Sequence, residues 1–366
     1  MRRTAFAVLL ALALAAGLAA PSAAQERAST VAAFEQMFAR WQAAAPGHPL
    51  VGRMYQAVNG KLVPRELWRE PDAAAAVGGG SLQTYLLLGE VHDNPEHHAA
   101  QALLMALLSG SAGSLSPPGV VMEMVTADQA QALADYLREP QAQLERLAGA
   151  ERRRRAGEVA AGLGPAIGWE KTSWPVWSNY EPIARTALAQ GRGIFAGDTR
   201  RETIRDVARR GLAAADGDVL RRLRLDRPLS AELSGALATE IRDSHCGLLP
   251  DAAIGGMSDA QRYRDASLAE SVAEAGPDGA VLIAGNGHVR SDRGVPWYIR
   301  QRFAAGSGAM TVSIMLLEVE EGKTDPESYV PRDPSGKPAA DYVLFTPRHD
   351  RPDPCEKMRK SFRPKG

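Results

Sequence analysis

"LLLGEVHDNPEHHAAQ", residues Leu86–Gln101, decides the fold. Three leucines run into a glycine, and a polar stretch ending in Asn94-Pro95 follows at once. A short, continuous apolar run that leads into a helix start reads as a strand covered on both faces and feeding a crossover helix. Asn94 is a good helix N-cap, and Pro95 suits the first helical position, where a missing N–H costs nothing. Between Gly89 and His98 the chain places three of its seven histidines with three carboxylates.

Working outward, similar runs recur: "TYLLLG" (Thr84–Gly89), "GVVMEM" (Gly119–Met124), "GIFAGD" (Gly193–Asp198), "AVLIAGNG" (Ala280–Gly287) and "MTVSIMLLEV" (Met310–Val319), with "YVLF" (Tyr342–Phe345) as a further candidate. Apolar strands separated by helical stretches predict an α/β fold, with a mostly parallel sheet and helices on both faces. Residues 25–47 read as a helix. Asn59-Gly60, between two short alternating runs, predicts a hairpin, and a glycine-rich loop follows at Gly78–Gly80. The stretch from Asp198 to Ala280 is too long for a simple crossover and predicts a helical insertion at about 200–276. Within it Leu233, Leu237, Ile241 and His245 recur by fours, and Ser258-x-x-Gln261 reads as a capping-box helix start. A second helical insert is expected before Trp169. The domain boundaries expected are 25–350 for the α/β domain and 351–366 for a basic tail.

Arg2-Arg3, the apolar run Phe6–Ala20 and the small residues Ser22-Ala23-Ala24 read as an export signal over residues 1–24. No cysteine stands near that cleavage site, so a lipid anchor is not expected, and the predicted location is periplasmic or secreted. The chain has 43 basic and 43 acidic residues, so its overall charge gives no reason to expect nucleic acid as a partner. Cys246 and Cys355 can form one disulfide in an oxidising compartment, with their separation in space left open by the sequence.

In an open α/β sheet, ligands gather beyond the carboxyl ends of the strands. Here those ends deliver Glu90, His92 and Asp93, then Glu123, then Asp198, then Asn286 and His288. Four strand ends carrying such groups predict one convergent site, although Asp198 reads equally well as a helix cap. His92 directly follows a strand and has acidic neighbours to orient its ring. His97 alone reads as a surface histidine, and His98 stays open between ligand and structural residue. The positive end of the helix favours neutral imidazole at both. The pattern of a zincin is missing, because His92 precedes the helix, and no G-x-S-x-G elbow occurs. Gly285-Asn286-Gly287-His288 reads as a tight turn presenting His288. "GWEKTSWPVWSNYEP" (Gly168–Pro182) gathers Trp169, Trp174 and Trp177 near Tyr180; such a cluster lines an apolar pocket or, as composition alone favours, fills core. His245 is either a second ligand or a helix-terminal cation.

The blocks "LLLGEVHDNPEHH", "VMEM", "WSNYEP", "SHCG" followed by "RYRDASLAESV", and "LIAGNGHVRSDRGVPWYI" resemble, in order, those of the ChaN-like haem-binding family. That family lies in the wider superfamily of the Tiki, TraB and erythromycin esterase proteins. The shared mark is a pair of G-x-x-H motifs, here Gly89–His92 and Gly285–His288. The resemblance spans about residues 50–305. It implies an α/β fold with a helical subdomain, and haem or another small apolar ligand bound in bacterial iron uptake. It also raises a second copy of the chain and an outer-membrane uptake component as partners. Family members are often lipoproteins, and this sequence departs there. The haem-binding residues expected are His92, His98, Tyr180, His245 and His288, with Asp93, Asp198, Asp265 and Asn286 in support.

The alternative reading is a metal-dependent hydrolase. His92 and His288 would hold Mn, Co or Zn, Glu90 or Glu123 would complete the shell or act as general base, and Arg264 would stabilise an oxyanion. A secreted scaffold with a degenerate site is the third reading.

Overall fold

In chain order the elements are α1 (Ala23–Ala44), β1 (Met54–Val58), β2 (Lys61–Pro64), α2 (Ala73–Gly78), β3 (Gln83–Glu90), α3 (Pro95–Leu108), β4 (Gly119–Thr126), α4 (Ala130–Glu145), α5 (Gly149–Ala166), α6 (Trp177–Ala189), β5 (Ile194–Asp198), α7 (Arg201–Arg210), α8 (Gly217–Arg222), α9 (Ala231–Ser244), α10 (Asp251–Glu274), β6 (Gly279–Gly285), α11 (Val295–Arg302), β7 (Ala309–Glu318), β8 (Tyr342–Thr346) and α12 (Pro354–Ser361). They come from a computed structural model, which describes residues 23–78, 83–108, 119–276, 279–303 and 309–361. Almost all of the expected export signal, most of the glycine-rich loop and the end of the basic tail lie outside the described residues.

The strands form one sheet in the order β2-β1-β8-β7-β3-β6-β4-β5. All six apolar runs pair in parallel, and the β1–β2 hairpin joins β8 antiparallel at one edge. Asn59 and Gly60 have φ of 51° and 80°, the left-handed pair whose twist matches the flanking strands. β4 and β6 are buried along their whole length, which is why their sequences run apolar without alternation. The chain moves outward through β4 and β5 on one side of the β3–β6 pair, and through β7 and β8 on the other. Crossovers therefore diverge above β3 and β6, the geometry that opens a crevice at the carboxyl rim.

Two groups of helices cover the sheet. α3 packs with α1, α2 and α6, while α10 packs with α7, α9 and α11 and lies on β4, β5 and β6. The expected second insert is α4 and α5. Around α9, Leu229, Leu237, Ile241 and Ile254 form a small cluster separate from the main core. Ser258 is not a helix start. α10 begins seven residues earlier, at Asp251, and the Ser258 hydroxyl donates to the Ile254 carbonyl one turn back, at 2.8 Å. A run of buried residues from Ile254 through Ala260 and Tyr263 to Val272 carries the helix straight through that motif. Cys246 and Cys355 are joined, with Cα atoms 5.7 Å apart, tying α12 to the turn after α9. Among the described residues no helix is long and apolar enough to cross a membrane.

Candidate functional site

β4 pairs with β6 only as far as Met122 opposite Ile283. Beyond that point the strands separate, and the amide of Gly285 loses its ladder partner. Glu123 turns into the gap, and its Oε2 accepts that amide at 2.7 Å. On the other side of β6, the Asn286 amide donates to the Glu90 carbonyl at 2.9 Å. The two G-x-x-H glycines explain each other. A Cβ on Gly89 would stand 2.3 Å from Asn286 Oδ1, and a Cβ on Gly285 would stand 2.8 Å from His92 Nε2. Each glycine makes room for a side chain of the opposite motif.

Glu90 and Glu123 are both fully enclosed. Glu90 Oε1 accepts from His92 Nδ1 at 2.8 Å and from the Tyr180 hydroxyl at 2.9 Å, with His98 Nε2 at 3.4 Å. Burial opposes its ionisation, but the neighbouring His98 and His92 outweigh burial and hold its pKa at about 2. Glu90 Oε2 and both ring nitrogens of His98 have no hydrogen-bond partner. Tyr180 is completely buried. Burial and the adjacent Glu90 charge push its pKa far up, so it stays a neutral phenol that donates to Glu90.

Glu123 Oε1 accepts from Arg264 Nη2 at 2.6 Å, and Arg264 Nε also donates to Asp198 at 2.7 Å. His288 Nε2 lies 3.3 Å from the same Glu123 oxygen, and His288 Nδ1 lies 2.6 Å from Asp265. Burial works against a proton on His288, yet Glu123 and Asp265 prevail and lift its pKa to about 10. For Glu123, burial is overcome by His288, His92 and Arg264, and its carboxyl lies well below the usual range. Asp265 is raised by its burial, with His288 opposing. At neutral pH His288 is an imidazolium with both nitrogens engaged.

His92 differs from these. Its side chain is 35 % exposed, and its ring edge meets Trp174 at a centroid distance of 4.8 Å. Nδ1 is fixed by Glu90, whereas Nε2 stands 3.9 Å from Glu123 Oε1, beyond hydrogen-bond reach. Burial lowers its proton affinity, but Glu123 and Glu90 reverse the sign and its pKa is raised.

The structure therefore brings Glu90, His92, His98, Glu123, Tyr180, Asp198, Arg264, Asp265, Asn286 and His288 to one rim. Asn286 contributes through its backbone and through its amide, which donates to Leu316 on β7 at 2.7 Å. Asp93 turns away and pairs with Arg351 at 3.1 Å, so of the two neighbouring carboxylates it is Glu90 that bonds the His92 ring. His245 bonds within its own turn, Nδ1 to the Ile241 carbonyl at 2.8 Å, and none of its bonds reaches the cluster. His97 is not a surface residue. Its Nδ1 accepts the Val91 amide at 2.8 Å, and its Nε2 donates to Thr346 at 2.7 Å. Burial drives its pKa down to about 3, leaving a neutral strut between β3 and β8. Trp169 and Trp177 pack among helices, with indole N–H groups on the Pro175 and Ala160 carbonyls; of the three tryptophans, Trp174 is the one against His92. Gln261, which sequence reasoning missed, reaches His288 Nδ1 at 3.1 Å. It sits one helical turn before Asp265, a spacing that marks it once Asp265 is placed.

Among the described residues, no group of three or more His, Cys, Asp or Glu side chains is arranged to hold a metal ion. Within the cluster, Glu123 gives its oxygens to Arg264 and Gly285, and His288 has both nitrogens against carboxylates. Arg264, tied to two carboxylates, is not free for an oxyanion.

The family model for haem-binding uptake, Tiki superfamily, ChaN, matches residues 81–299. A solved structure described as cofacial heme binding to ChaN of Campylobacter jejuni is similar at 20% identity and a TM-score of 0.55, covering 81% of this chain and 97% of that one. A second, the type III effector HopBA1, covers 74% of this chain and 92% of its own at 10% identity, with a TM-score of 0.33, too low to carry an argument. No curated protein sequence matches. The match covers more than half of the chain and contains both G-x-x-H motifs, and the chain belongs to the haem-binding uptake family of the Tiki superfamily, ChaN.

Proposed function

We propose that this protein binds haem at the carboxyl rim of the sheet, with His92 Nε2 as the nitrogen offered to the iron, and that it serves haem uptake as an exported protein. The observation that carries the assignment is the contrast within the cluster. His98 and Tyr180 are fully buried and His288 is pinned between carboxylates. His92 keeps a partly exposed ring and, among the described residues, an Nε2 with no hydrogen bond, 3.9 Å from the nearest carboxylate oxygen. Haem, when bound, would supply an iron that takes imidazole nitrogen as a ligand, and His92 Nε2 would hold it.

The chain's own residues suit that task. Glu90 holds His92 Nδ1–H, which fixes the tautomer and strengthens Nε2 as a donor. Gly285 leaves the space in which the ring sits. Trp174, half-buried against the His92 ring, offers an apolar wall for a flat ligand. Trp169 and Trp177 pack edge to face on each other and bond to the Pro175 and Ala160 carbonyls instead. The disulfide between Cys246 and Cys355 agrees with an oxidising compartment, periplasmic or extracellular, where an outer-membrane uptake component would pass on or receive the ligand.

The test is a titration of the protein lacking residues 1–24 with haemin. A saturable Soret shift at micromolar protein supports the reading, and size-exclusion chromatography of the same samples reports whether a second copy joins. An unshifted haemin spectrum at that concentration rejects it.

A further inference from the structure

Past His288 the turn into α11 carries a second charged group that the haem reading leaves unused. Arg290 grips Asp292 with two bonds, Nε at 2.9 Å and Nη2 at 2.7 Å, and also donates to the Arg332 carbonyl at 3.1 Å. Arg293 donates to the same Asp292 at 3.3 Å. Both guanidinium groups then converge on a single oxygen of Glu240, which arrives from α9: Arg293 Nη2 bonds to it and Arg290 Nη1 stands 3.6 Å away. The burial is uneven. The side chains of Arg290, Arg293 and Asp292 are 6%, 4% and 6% exposed, whereas Glu240 is 40% exposed. Its carboxylate rests beside Gly287, 3.4 Å from where a Cβ would stand, inside the turn that presents His288.

The charges decide what this arrangement can do. Asp292 is fixed, buried and neutralises one arginine. With Asp292 shared between the two arginines, the second carboxylate that balances the pair is Glu240, at the solvent boundary on a helix whose apolar residues belong to the small separate cluster. A rotamer change of Glu240 leaves two buried forks carrying one net positive charge, and a planar carboxylate from outside matches that geometry.

We propose that Arg290 and Arg293 form a carboxylate-receiving subsite, for which Glu240 is an intramolecular placeholder displaced by the ligand's own carboxylate. Resting on the haem reading above, that carboxylate is a haem propionate, and the subsite selects porphyrins with free acids over their esters.

Two arms test it. In the first, unliganded Glu240→Ala protein is melted in sodium propionate and in sodium chloride of equal ionic strength. Propionate is expected to raise its Tm by about 2 °C or more over chloride, as a ligand bound only by the folded state does, with no such difference for wild type. In the second, haemin and its dimethyl ester are titrated by Soret absorption. Glu240→Ala is expected to tighten haemin several-fold and leave the ester unchanged, and Arg293→Gln to weaken haemin alone. Propionate acting no better than chloride on Glu240→Ala overturns the subsite whatever haem does, and so does a Glu240→Ala change shared equally by acid and ester. A wild-type protein that binds neither porphyrin overturns the haem reading itself, and with it the identity of the carboxylate.

Discussion

Replacing His288 with asparagine removes the imidazolium that stands between Glu123 and Asp265. Its pKa rises from 6.5 to about 10 in the folded protein. At about 1.4 kcal/mol per unit, that shift corresponds to about 4–5 kcal/mol of coupling between protonation and folding. The sign follows from the direction: a pKa raised by folding stabilises fully below pH 6.5, and the stabilisation drains away as pH climbs toward 10. Counted as a broken buried pair instead, the same His288–Glu123 interaction gives a loss of about 3–5 kcal/mol, the same order and not an addition to it. That is a large part of the ~5–15 kcal/mol that holds a typical domain together. Urea denaturation followed by circular dichroism at pH 6, 8 and 9.5 separates the effects. Wild type should outstrip the variant by several kcal/mol at pH 6, and the gap should close steadily toward pH 9.5. A gap under about 1 kcal/mol at pH 6, or two profiles that run parallel across the range, would refute the argument that His288 is a structural cation.

Three further perturbations bear on the same rim. Gly285→Ala drives a methyl group to within 2.8 Å of His92 Nε2; haemin affinity should fall tenfold or more, about 1.4 kcal/mol, while far-UV circular dichroism stays native. Tyr180→Phe takes one donor from the buried Glu90 carboxylate, which should cost about 1–3 kcal/mol in denaturant titrations and leave the protein folded. Cys355→Ser opens a loop closed across 109 residues; chain entropy predicts a loss approaching ~4–5 kcal/mol, visible as a Tm drop that wild type reproduces only when reduced.

The parallel sheet was legible because five of its six strands are buried over half their length or more, and a strand buried on both faces has no room for polar alternation; edge strand β5, with Phe195 exposed, still reads as a short apolar run. The rim was legible for a related reason: in a parallel sheet the residues just after each run must meet at one end, so Glu90, His92, Glu123 and His288 followed from topology alone. Side-chain direction was not legible. Asp93 and His92 are adjacent, yet one faces Arg351 and the other Glu90, and only the C-terminal segment laid across the rim decides between them. His97 looked exposed because its cover, Thr346, comes from a strand nearly 250 residues later. Ser258 misled because a serine three residues before a glutamine satisfies the same local pattern inside a helix, where its hydroxyl bonds backward. The pairing of Cys246 with Cys355 depended on a distance that no spacing encodes.

The most direct test of the account is the haemin spectrum of a His92→Gly variant, with and without free imidazole. Loss of the imidazole-ligated spectrum, and its return when imidazole fills the space above Gly285, is the result predicted. A His92→Gly protein that binds haemin with the wild-type spectrum and affinity would contradict the account, and would place the iron elsewhere on the molecule.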